Sequence, residues 1–296
     1  MLTVIGYTLR RSRGAMIGWG LGLAVLTITM GSLFDMIAGN TSLMDAYIEA
    51  LPEFAAMFDI GGMNTPTGWL DVEYFSFMPL IIGLFATGVG ASVLARDEER
   101  GTLDLILAHP VSRTTLFWSR LLATTLVTIM LLLISWASLL LPMTWSENFT
   151  IPAFGLLLPF VSLFGILMFF MTLALLFSML LPARSMASML AGTLVVASFF
   201  VTLLSRAVAQ LERAADFSPM TYLETSTAIE NGLNWTWFGV FLTIDLVLAL
   251  ISWQLFQRRD IRVGGEGTLR VMDLVTGKWK ATPSKNLGDL TTLAAD

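Results

Sequence analysis

A chain of 296 residues that is 55% hydrophobic and only 13% charged, with a mean hydropathy of +0.75, lies outside the soluble globular range, where about a quarter of residues are charged. Its formal net charge of -5 says little about partners, because in so apolar a chain the distribution of charge across a bilayer matters more than the sum. The absence of cysteine excludes disulfides, thiolate metal sites and cysteine nucleophiles.

Several apolar runs reach the roughly 20 residues that a helix needs to cross a bilayer. The sequence therefore predicts an all-α polytopic membrane protein, with a six-span transmembrane domain over 1–256 and a polar tail over 257–296. The spans are expected at 14–34, 72–95, 115–141, 153–181, 186–204 and 235–256. The first is too long for a signal-peptide core and no small-residue cleavage site follows it, so it reads as a retained helix. Loops at 35–71 and 205–234 fall on one side, the former with a surface helix around "SLMDAYIEALPEF".

Orientation follows from the cations. With the amino terminus inside, fifteen of the seventeen Lys and Arg fall in inner segments and only Arg206 and Arg213 outside. The positive-inside rule then places both termini in the cytoplasm. Trp69, Trp145, Trp235 and Trp237 fall near outer boundaries, and Trp118 and Trp253 near inner ones, where an amphipathic indole is best placed.

Between the second and third spans stands the most charged passage, "RDEERGTLDLILAHPVSRTTLFWSRLLA". Within its loop, 96–113, Gly101 is suited to end an arriving helix and Thr102 to cap a new one. Leu103, Ile106 and Leu107 follow at helical spacing as one apolar stripe, and Pro110 stops that helix. Ser112 reads as the cap of the third span, with Val111 and Leu116 as a hydrophobic staple across it. A solvated turn that merely sets topology is the plain alternative. Against it, the turn "LPARS" reverses direction in far fewer residues, and an apolar stripe calls for a cover of lipid headgroups or protein.

This passage resembles the signature of ATP-binding cassette transporter permeases of the type 2 exporter class. "TPTGWLDVEYFSFMPLI", "FSPMTYL" and "FQRRDIRVGGEG" are similar to that family too. The resemblance implies that the loop is a cytoplasmic coupling helix docking on a separate ATPase subunit. Glu98, Glu99, Gly101, Thr102, Leu103, Leu105, Leu107, Pro110 and Arg113 would then be its contact and framing residues. It also implies a second permease chain, identical or not, a bacterial or archaeal cell membrane, and an amphipathic amino-terminal helix over 1–13. In that helix Leu2, Ile5 and Leu9 form a membrane-facing stripe under a basic end.

The chain is not expected to hydrolyse ATP by itself. A phosphate-binding loop needs G-x-x-x-x-G-K-[ST], and the only Gly-Lys, Gly277-Lys278, is followed by Trp279. No cofactor is expected here, and ATP with Mg is expected on the partner ATPase. Asp245 is the clearest carboxylate inside a span. It reads either as a cargo or proton contact or as a packing hydrogen bond to a neighbouring helix. Gly83, Thr87, Gly88, Gly90 and Ala91 on the second span are candidates for close helix packing. His109, the sole histidine, lies in the loop without metal partners, and nothing supports a metal or nucleic-acid role. Two other functions compete: a secondary transporter coupled to ions or protons through Asp245, for which no internal repeat is visible, and a non-transporting membrane scaffold.

Overall fold

The computed structural model describes residues 1–38, 41–58 and 60–258; most of the tail predicted at 257–296 lies outside the described residues. The described residues are 83% helical, and no strand occurs among them. Among the described residues six helices are long and apolar enough to cross a membrane: Leu2–Met36, Pro66–Ser92, Arg113–Thr144, Ala153–Leu180, Arg184–Ser205 and Trp235–Arg258, here spans 1 to 6. Their boundaries fall within a few residues of those expected, except at the start of the chain and of span 2.

At the start, the structure joins what the sequence divides. The helix Leu2–Ala38 runs unbroken through both the basic segment and the first span, because nothing between Leu2 and Ala38 is a proline. Of the stripe Leu2, Ile5 and Leu9, Leu9 packs against the protein core while Leu2 is exposed. The start of span 2 is tightened by a π-helical turn, Asp71–Phe75, within which Tyr74 and Phe75 are buried.

Span 4 is the axis of the bundle. It carries no charged residue and is apolar all round, the pattern of a helix enclosed by others. Spans 2, 5 and 6 all pack against it, whereas span 1 packs mainly on span 3. Gly90 permits the closest approach of spans 2 and 4, since a Cβ there would lie within about 2.1 Å of the Met171 carbonyl oxygen. Gly83 faces Val195 on span 5, and Ala91 joins Ala174, Ala187 and Ala191 in an alanine cluster between spans 2, 4 and 5. Thr87 is buried and bonds back to the Leu84 carbonyl. Gly88 departs from expectation: no helix packs over it, and it lines a cavity instead.

Candidate functional site

The segment between spans 2 and 3 folds into two short helices, Ala95–Glu99 and Leu103–Leu107. Between them Gly101 adopts φ +66, the left-handed conformation that glycine reaches without a Cβ penalty. Its N–H donates to the Glu98 carbonyl at 3.0 Å and that of Thr102 to the Asp97 carbonyl at 2.9 Å, the paired bonds of a Schellman stop. Gly101 is therefore a helix end, as expected.

Thr102 is not the cap expected of it. Its backbone is already helical and its side chain makes no cap hydrogen bond. The hydroxyl instead lies 3.3 Å from both the carbonyl oxygen and Oδ1 of Asp97. Ser112 does cap span 3, its Oγ accepting the Thr115 N–H at 3.1 Å. Val111 and Leu116 belong to the same apolar cluster across that cap.

The apolar stripe is covered by the protein itself. Leu103 is 2% exposed, and Ile106 and Leu107 lean on the main core. Leu105 points the other way and is 66% exposed, next to exposed Asp104, Ala108, His109 and Pro110. One face of a five-residue helix is thus clamped to the bundle, and the opposite face presents a single leucine among small and polar neighbours.

Three sets of polar contacts tie this helix pair and the start of span 3 to the rest of the bundle. Asp97 is the first anchor. Its Oδ1 accepts from Arg11 of span 1 at 2.7 Å and its Oδ2 from Arg120 of span 3 at 2.5 Å. Arg120 reaches on to the Val93 carbonyl at 3.0 Å. Burial pushes the Asp97 carboxyl up, but the hydrogen bonds and charges of Arg11 and Arg120 outweigh it and hold the group below the ordinary carboxylate range. Glu99 is the second anchor. It accepts from the backbone N–H and the Nε of Arg184, both at 3.1 Å, at the start of span 5. Arg113 is the third, its Nη1 donating to the carbonyls of Phe256 and Gln257 at 3.2 and 3.3 Å, where a cation complements the end of span 6. Beside it, Thr114 meets the indole of Trp253 and the side-chain amide of Gln257.

The family described as "ABC-2 family transporter protein" matches residues 8–261. The chain belongs to the ABC-2 transporter family. No curated protein matches it. An ABC-2 domain of this kind is the transmembrane permease component, not a nucleotide-binding domain.

Within this ABC-2 permease the predicted site residues separate into two groups. Glu99, Gly101, Thr102, Leu103, Leu107 and Arg113 face their own bundle or set the loop's shape, whereas Leu105 and Pro110 lie on the exposed face; Glu98 is half-buried between them. Asp97, Arg11 and Arg120, which hold the loop most firmly, were not among the predicted residues. Asp97 stood in the charged run that drew attention, but its partners lie 86 and 23 positions away, and no local pattern links them.

Asp245 sits near the middle of span 6, 5% exposed, facing span 4. Its Oδ1 accepts from the Thr172 hydroxyl at 3.3 Å, and its Oδ2 has no hydrogen-bond partner among the described residues. Thr172 is also satisfied by the Met168 and Phe169 carbonyls at 2.9 and 3.1 Å, so it does not depend on the carboxylate. No cluster of potential metal ligands occurs among the described residues.

Proposed function

We propose that this ABC-2 permease is the membrane subunit of an ATP-driven exporter, and that the loop 96–113 receives the stroke of a separate ATPase subunit holding ATP and Mg. The single observation that carries the reading is the two-faced helix Leu103–Leu107. Leu103 and Leu107 hold it to the bundle while Leu105 is offered outward. A leucine so exposed on an otherwise small and polar face suits insertion into a pocket of a protein partner. Glu98 and Pro110 frame that contact.

The anchors give the stroke a route. A push on the helix pair reaches span 1 through Asp97 and Arg11, span 3 through Asp97 and Arg120, span 5 through Glu99 and Arg184, and span 6 through Arg113. Gly101 sets the angle of the helix rather than taking part in the contact. Both termini face the cytoplasm in this reading, which puts the arginine-rich end of the bundle beside the ATPase. A second permease chain completes the cargo path in the cell membrane.

The family match makes a secondary transporter a weak competitor, and Asp245 is read within the permease as a polar point between spans 4 and 6. The test is co-purification with the cognate ATPase and stimulation of its ATP hydrolysis in nanodiscs. Leu105→Asp should abolish both while leaving the permease folded, because the side chain contacts little of its own chain. Unchanged assembly and unchanged stimulation in that variant would overturn the coupling assignment.

A further inference from the structure

Two cavities lie in succession along span 1. The first, of about 320 Å³, opens between spans 1, 2 and 3 at the arginine-rich end and is lined by Arg11, Arg96, Arg120 and Asp97. The second, of about 450 Å³, is an open groove down span 1, formed by Gly14, Gly18 and Gly22 with Trp19, Leu26 and Ile81. Ala15 lines both.

The chemistry changes from the first cavity to the second. At its head, three guanidiniums face one carboxylate, and that carboxylate is already shared by Arg11 and Arg120. Arg96 makes no hydrogen bond or ion pair among the described residues. Arg96 is exposed at the rim; partial desolvation and repulsion from Arg100, Arg11 and Arg184 outweigh the attraction of Asp97 and lower its pKa. Down the groove no polar side chain intervenes, and nothing lies within 4 Å of the Cβ position of Gly14, Gly18 or Gly22. From Gly14 to Leu26 the groove follows about 18 Å of helix. That is close to one leaflet of a hydrocarbon core about 30 Å thick.

We propose that these cavities together hold one anionic phospholipid, its phosphate between Arg96, Arg11 and Arg120 and one acyl chain along the glycine groove. A basic head and an apolar channel of leaflet depth match that molecule at both ends. A free anion would leave the groove unfilled. Glycines four apart also suit a neighbouring helix, but a second copy whose twofold axis ran through this face would bring Arg11 and Arg96 near their own counterparts, which like charges oppose. The proposal stands apart from ATP coupling and does not depend on it.

Native mass spectrometry of the full chain in mild detergent tests it, with dioleoyl phosphatidylglycerol, dioleoyl phosphatidylcholine and sodium phosphate as separate arms. Phosphatidylglycerol should be retained about tenfold better than phosphatidylcholine, with Arg96→Gln reducing its retention about fivefold. Gly18→Leu, or Gly22→Leu if the first does not fold, should reduce retention of the lipid by occluding the groove, and millimolar phosphate should not displace it. Equal retention of the two lipids would overturn the proposal, as would displacement by phosphate alone. So would a glycine variant that binds lipid normally but turns a dimer into a monomer, since the groove would then belong to a second copy.

Discussion

Asp97 and Arg120 meet at 2.5 Å with both side chains about 95% withdrawn from solvent, and Arg11 closes on the same carboxylate from another helix. Breaking a buried ion pair from one side costs about 3 to 5 kcal/mol, because the surviving charge is left without its partner. Asp97→Asn should therefore lower the thermal stability of the purified permease by about 3 kcal/mol, more than any substitution in the exposed Glu99–Arg184 pair. Melting curves of the two variants side by side check this.

The same carboxylate fixes a pH dependence. Its folded-state pKa lies below the unfolded value of about 4, so its contribution is fully present above that value. It is lost only as pH falls further, through the depressed folded-state value. Stability should thus be insensitive to this group at neutral pH and decline in strong acid, and Asp97→Asn should flatten that part of the acid limb. Unfolding in detergent across pH 2 to 7 reads both.

Gly101 should tolerate Asn and reject Val. Its φ of +66 costs a branched residue about 1 to 2 kcal/mol, whereas Asn visits this region more readily. Nothing lies within 4 Å of its Cβ position, so the penalty is in the backbone alone. Gly101→Val should keep the bundle folded and reduce ATPase stimulation, with Gly101→Asn close to wild type in the same assay.

Two glycines two residues apart should behave oppositely. Gly90→Ala places a methyl against the Met171 carbonyl and should force spans 2 and 4 apart, with loss of monodisperse protein on size exclusion. Gly88→Ala meets open space and should run like wild type.

Asp245→Leu should leave the permease as stable as before or more so. A carboxylate with one long hydrogen bond and one unpartnered oxygen gives back little for its insertion cost of about 3 kcal/mol. Thr172 keeps its carbonyl partners without it. Expression level and melting temperature of the variant decide the point.

The spans were legible because each is a long apolar run, helped by local signals such as Ser112 before span 3, whose effect does not depend on distant residues. Gly101 was legible for the same reason. Thr102 was misread because its hydroxyl has two uses within reach, the start of a new helix or the Asp97 carboxylate five residues back, and only the fold chooses between them. The cover over Leu103, Ile106 and Leu107 was likewise hidden, since a stripe on a short helix shows that a partner exists but not that the partner is the chain itself. Gly88 looked like Gly90 because spacing does not reveal which side of span 2 meets a neighbour. The Arg11, Asp97 and Arg120 cluster assembles only after three helices have packed, and no local pattern announces it.

The unbroken first helix has a mechanical meaning. From Arg11, held by Asp97, to Asp35, whose Oδ1 accepts from Ser146 at 2.8 Å, the rod spans 24 residues, about 36 Å, without a proline to act as a joint. A tilt of only about 5° pivoted at one end moves the other by about 3 Å, roughly the length of the hydrogen bond it would have to break. An unjointed rod held at Arg11 and at Asp35 thus ties the two faces of the bundle together, so that a change of tilt set at one end is felt at the other.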